Sequence, residues 1–77
     1  MRISYDAGQD VLYIVLGDEN HIVHSIDIGA ETDGVTADLD AAGHIVAIEI
    51  LGAGERYGED HMRTIVVEVP TLARLQA

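Results

Sequence analysis

The sequence contains no cysteine and no lysine, and a single proline falls within its 77 residues. Without cysteine there is no disulfide to staple the fold and no thiolate set to hold zinc. Its four basic residues are Arg2, Arg56, Arg63 and Arg74; set against fourteen acids, they leave a formal net charge of −10. Four scattered arginines cannot assemble the basic stripe that nucleic acid phosphates require. The same deficit argues against an anionic membrane surface. No apolar run approaches the roughly 18–20 residues of a membrane span. Arg2 is followed by polar and acidic residues rather than by the apolar stretch of a signal peptide. These absences predict a soluble, cytoplasmic protein with neither nucleic acid nor membrane as partner.

So short a chain is one domain, residues 1–77. At this size folding buries only about 60–65% of the surface that the unfolded chain exposes. A single core of this kind rarely supplies more than about 3–5 kcal/mol, so a reinforcement is expected. With no disulfide or zinc set, the reinforcement left is another chain, and a homo-oligomer, dimeric for preference, is the expectation. The acidic surface would keep the protein soluble. It would also attract a basic protein partner by electrostatic steering.

Short runs rich in Ile, Val and Tyr alternate with clusters of Gly, Asp and Asn, which is the signature of an antiparallel meander. Strands are predicted at residues 2–6, 11–16, 22–28, 35–39 and 44–51, the last closing a core of residues 1–51. The connections "DAGQD", "GDENH" and "GAETDG" carry residues that tolerate tight turns. "GAGERYGEDHMR", residues 52–63, reads as a mobile loop because of its three glycines and mixed charges. In residues 64–77, "TIVVEV" fits a sixth strand, and Pro70 stops it and suits the first turn of a short helix. The expected fold class is therefore mostly β, an antiparallel meander of five to six strands with a short C-terminal helix.

One stretch poses a direct question. Counted from Asp38, "DLDAAGHIVAIE" nearly spells a calcium loop, with Asp38, Asp40, Gly43 and Glu49 at places one, three, six and twelve. The alternative is a hairpin with Asp40, Ala41, Ala42 and Gly43 as a four-residue loop. That register sets Leu39 opposite His44, Ala37 opposite Val46 and Val35 opposite Ile48, and gathers the apolar residues on one face. It places Glu49 opposite Gly34, about 14 Å along the strand from Asp38, too far for both to hold one ion. Ala42, at place five, offers no side-chain oxygen. The hairpin reading predicts no metal and no cofactor, with Asp40 accepting from a turn amide.

The same alternation extends across the sheet. Leu12, Ile14 and Leu16 share one side of the second strand, and Ile22, Ile26 and Ile28 share a side with His24 in the third. An apolar face formed by Leu12, Ile14, Leu16, Ile26, Val35, Val46, Ile48 and Ile50 needs a cover, since burying each large aliphatic side chain gains about 1.5–3 kcal/mol. These eight residues are the expected partner or oligomer interface. His24, among isoleucines, is a candidate pH-sensitive residue there, because charging a buried imidazole costs desolvation.

Two motifs resemble those of a family of small bacterial proteins, domain-of-unknown-function family 2283. "ISYDAGQDVLYIVL" sets Tyr5, Asp6, Asp10, Leu12, Tyr13 and Ile14 where that family has them, and "GVTADLDAAGHIVAIEIL" is similar to its second signature. Together they cover residues 1 to about 52. Ala47 replaces the usual glycine, and Val15 stands where a polar residue is common. The resemblance implies a compact, mostly antiparallel sheet protein without an established activity or defined catalytic residues. Some relatives look like partners of small toxin-like proteins, which implies an antitoxin-like role.

No catalytic constellation is legible. Asp6 and Asp10 bracket the first turn and read as turn formers. "GAGERYG" lacks the Lys-Ser or Lys-Thr of a phosphate loop. The expected function is a non-enzymatic protein-interaction module built as a homo-oligomeric β-sheet. The alternative is a small-ligand-binding protein whose pocket, at the sheet or oligomer interface, takes in Tyr13, His24 or Tyr57.

Overall fold

The computed structural model describes residues 1–28 and 33–69. Five antiparallel strands form one sheet: β1 (Arg2–Asp6), β2 (Val11–Val15), β3 (His24–Asp27), β4 (Val35–Leu39) and β5 (Ile45–Leu51). The mostly-β class and the antiparallel pairing expected from the alternation are what the chain adopts. β3 is two residues shorter at its start and one at its end than its apolar run suggests, and Leu16 and His44 lie just outside β2 and β5.

The spatial order is β1-β2-β5-β4-β3, so the meander is interrupted at one step. After β2 the chain crosses the end of β5, makes a 3₁₀ turn at Glu19–His21 and pairs β3 on the far edge. Leu16 N and Gly17 N both donate to Val46 O, at 2.8 and 3.1 Å, and Val23 N donates to Leu39 O at 2.9 Å. The Asp18 carboxylate caps the 3₁₀ turn by accepting from Asn20 N. Arg2 Nη2 holds both Glu19 carboxylate oxygens, tying the crossing back to β1.

The β4–β5 hairpin corrects the predicted register. Asp40 N donates to His44 O and Gly43 N to Asp40 O, each at 3.0 Å, so three residues rather than four form the loop. Gly43 takes φ 84°, the left-handed conformation that glycine adopts at no steric cost. Leu39 then faces Ile45, Ala37 faces Ile48 and Val35 faces Ile50, with a bulge between Asp38 and Leu39. A loop one residue shorter would by itself turn Asp38 into the apolar face. The extra residue on β5, Val46, restores the alternation, which is what a bulge does.

Past β5 the mobile loop expected at residues 52–63 is replaced by ordered structure. A short helix, α1 (Ala53–Tyr57), is followed by a 3₁₀ turn at Glu59–Arg63. The sixth strand expected of "TIVVEV" does not form: residues 64–69 run without pairing to any strand. The helix expected from Pro70 onward lies outside the described residues. Among the described residues no large side chain is fully enclosed; Ala37, Ala47 and Ala53 have no exposure. The fold is one layer of sheet with a small cap at one end.

Candidate functional site

Pairing fixes which residues share a face. On one side lie Ile3 and Tyr5 of β1, Leu12 and Ile14 of β2, Ile48 and Ile50 of β5, Val35 and Ala37 of β4, and Ile26 of β3. Ile3, Leu12, Ile14, Val35, Ile48 and Ile50 are each half-buried, and Ile26 is exposed. Of the predicted interface residues, Leu12, Ile14, Ile26, Val35, Ile48 and Ile50 thus share this one face. Leu16 lies beyond the end of β2 and is exposed. Val46 sits at the bulge, buried against Gly17, whose position a Cβ would bring to 3.3 Å from Val46 Cγ1. His24 is exposed at the β3 edge, on the Ile26 side.

The opposite face is polar at its centre. Ser25 Oγ donates to Asp38 Oδ1 at 2.5 Å, and Tyr13 OH reaches Asp38 Oδ2 at 3.4 Å. Asp38 is only 9% exposed, so these partners replace the water it gave up. Burial, reinforced by the neighbouring Asp38 charge, raises the Tyr13 phenol above its ordinary value. Glu49 lies opposite both Tyr13 and Thr36, two residues along the strand from the Asp38 pair. That spacing is about 7 Å rather than 14 Å, so the distance argument against a shared ion does not hold in the observed register. What orients Asp38 is its bonding to Ser25 and Tyr13. Among the described residues no group of three or more His, Asp or Glu side chains is placed to hold a metal ion. Ala47 and Val15 are buried as a facing pair on this side.

A third arrangement is a latch between the first turn and α1. Asp10 takes φ 56° and its carboxylate accepts from Tyr5 OH (2.5 Å), Gly54 N (2.6 Å) and Glu55 N (3.1 Å). Its carbonyl accepts from Gly52 N and Ala53 N. Asp10 therefore supplies the orphan amides at the start of α1 with acceptors from 44 and 45 residues away in sequence. Donating to the carboxylate pushes Tyr5 up to about 12, and receiving the Tyr5 and Gly54 hydrogens holds Asp10 below the usual carboxylate range. Asp6 is the plain turn former expected of it, accepting from Gln9 N. Asp40 likewise accepts from Ala42 N and His44 N, and the latter bond first of all lowers its pKa. At the far end of the cap, Arg56 donates from Nε to Leu51 O at 3.0 Å and from Nη2 to Asp33 O, bracing α1 against the start of β4.

These arrangements do different things. The latch and the Arg56 brace hold the cap on the end of the sheet, and the Asp38 cluster satisfies a buried carboxylate. On the large apolar face only Tyr5 serves such an arrangement among the described residues, through the latch. Tyr13 and His24 stand on opposite faces and Tyr57 is exposed on α1, so one chain does not bring them into one pocket. Around the cap, a hollow lined by Tyr5, Ala7, Glu59, Met62 and Arg63 measures about 200 Å³, and one lined by Asp33, Gly34, Leu51, Gly52, Glu55 and Arg56 about 570 Å³. The second has the about 300–1,000 Å³ usual for small-molecule sites, but Tyr13, His24 and Tyr57 are not among its lining residues.

A single-layer antiparallel sheet with a capped end is the class of protein that this geometry defines. Residues 2–53 match the family described as protein of unknown function (DUF2283), and the chain belongs to that family. The matched span takes in all five strands and ends at the first residue of α1, where Asp10 holds it. No curated protein and no solved structure matches the chain.

Proposed function

We propose that the protein is a non-enzymatic interaction module that self-associates through its apolar sheet face. The observation that supports this reading most is the breadth of that face: it runs across all five strands, and none of its large side chains is enclosed by a second layer among the described residues. Its central members, Ile14 and Ile48, are directly paired, so they occupy the middle of the patch. Contiguous apolar surface of this kind marks an interaction site. The chain's net negative charge would favour a basic second partner, as in an antitoxin-like role, through steering rather than raw affinity.

The test is the molar mass in solution by light scattering coupled to size exclusion, for the wild type and for Ile48→Glu. A dimer that the glutamate variant converts to monomer, with the same β-sheet circular dichroism, supports the reading. A wild type that stays monomeric at high micromolar concentration refutes it. A flat response of the melting temperature to metals and metabolites separates it from the ligand-binding alternative, since a ligand well above its Kd raises the melting point by mass action.

A further inference from the structure

Residues 64–69, Thr-Ile-Val-Val-Glu-Val, form an arm that departs from the capped end of the sheet. Ile65, Val66, Val67 and Val69 are between 50% and 72% exposed, and none of the six pairs with a strand. Four β-branched aliphatics in a row of six have strand character and gain nothing from water. Six residues in extended form reach about 20 Å, enough to run the length of β1.

β1 is an edge strand, and its outer backbone groups lack a strand partner. Charge selects it over the other edge and also selects the direction. Laid antiparallel with Ile65 beside Tyr5 and Val67 beside Ile3, the arm continues the apolar face. Thr64, Val66 and Glu68 then fall beside Asp6, Ser4 and Arg2. Glu68 meets Arg2, whose guanidinium has five donors and spends only Nη2 on Glu19 among the described residues. A parallel arrangement instead sets Glu68 against Asp6, a like-charge pair that costs stability. At the opposite edge, the β3 residues on the matching side are Ser25 and Asp27, with no base to receive a glutamate.

We infer that residues 64–69 add as a strand to β1 of a second copy of this chain. The root of the arm, Met62 and Arg63, lines one hollow with Tyr5 and Ala7 of its own chain, yet the arm does not pair along its own β1. Donor arm and acceptor edge belong to the same sequence, so each copy can give an arm and receive one, and a reciprocal exchange closes with two-fold symmetry. This deepens the self-association proposed above by naming the segment and the edge, and it uses a surface other than the sheet face.

The chain's lack of cysteine makes the test clean. Ser4→Cys is placed in one full-length chain carrying an affinity tag and Val66→Cys in another; the two are mixed, equilibrated and oxidised. Facing positions can reach disulfide geometry, so a mixed, tag-shifted dimer is expected on a non-reducing gel, about tenfold above a control pairing Val66→Cys with Asp27→Cys. The same arrangement predicts that a chain carrying both substitutions closes disulfides between copies. Mixed product no greater than the control, or a double variant that closes within one chain, overturns the inference. Light scattering on the same samples keeps the two proposals apart: a dimer without the cross-link removes the arm exchange and leaves the sheet-face association standing.

Discussion

Replacing Gly54 by alanine sets two effects of opposite sign against each other. Within a helix, Gly→Ala gains about 1 kcal/mol in intrinsic propensity, part of it by restricting the unfolded chain. At Gly54 the new Cβ would lie 2.7 Å from both Asp10 Oδ1 and Tyr5 OH, closer than real Cβ atoms come to such neighbours. Those atoms cannot step aside freely, because they are bonded to each other at 2.5 Å and the carboxylate also holds Gly54 N. Relieving an overpacked contact costs about 1–3 kcal/mol; the middle of that range, set against the gain of about 1 kcal/mol, leaves a net destabilisation of about 1 kcal/mol. For a domain of this length each kcal/mol moves the melting temperature by about 4–8 °C, so the expected fall is about 4–8 °C. The assay is thermal unfolding by circular dichroism at fixed protein concentration. Gly43→Ala serves as the control: its Cβ meets nothing within 4 Å, and its φ of 84° leaves only the left-handed backbone penalty of about 1–2 kcal/mol. A Gly54→Ala variant that melts at or above the wild-type temperature would show that the latch does not hold α1 as described. A loss of tyrosine near-ultraviolet dichroism in Gly54→Ala but not in Gly43→Ala would place the damage at Tyr5.

The latch also gives the protein a pH signature. Tyr5 is raised to about 12 from 10.0, so its contribution is intact below pH 10 and is lost as pH climbs through the folded value; Asp10→Asn should lower the Tyr5 midpoint seen in ultraviolet titration. On the acid side Asp10 and Asp40 lie below 3.8 when folded, so stability present above that value falls away as pH drops through theirs, and the Asp10→Asn/Asp40→Asn variant should show a flatter acid limb in urea titrations. An unchanged acid limb would mean other carboxylates dominate. Ser25→Ala removes the 2.5 Å bond to a carboxylate that is 9% exposed, and should cost about 1 kcal/mol in the urea midpoint with the slope unchanged. No shift there would mean water replaces the serine without loss.

The sheet was legible wherever the signal was local. β1 and β4 have the bounds that their alternation predicts, and Asp6 and Asp40 act as the turn residues that their places suggest. The hairpin register is hidden from the alternation because loop length and bulge offset each other: either alone would spoil the apolar face, and together they preserve it. Residues 52–63 read as a loop because glycines at 52, 54 and 58 suggest mobility. Gly52 and Gly58 have positive φ, whereas Gly54 serves the close approach of Asp10 and Tyr5. That partnership spans more than forty residues, which no window along the chain can register. The Asp38 cluster was missed for the same reason, since Ser25 and Tyr13 arrive from two different strands. Asp38 stands on the face opposite Val35 and Ala37, where alternation predicts an acid in water, so nothing local marked it as buried.

The step from β2 to β3 has a kinetic side. The pairs β1–β2, β3–β4 and β4–β5 join strands that are neighbours in the chain, so β1–β2 and β3–β4–β5 can each form from nearby segments. β2 and β5 join only when Val15 finds Ala47 across a long closure, an encounter whose entropy must be spent before any contact rewards it. The molecule is in effect two ribbons sewn along one seam. A chain cut in the crossing between them should rebuild the sheet when its two pieces are mixed.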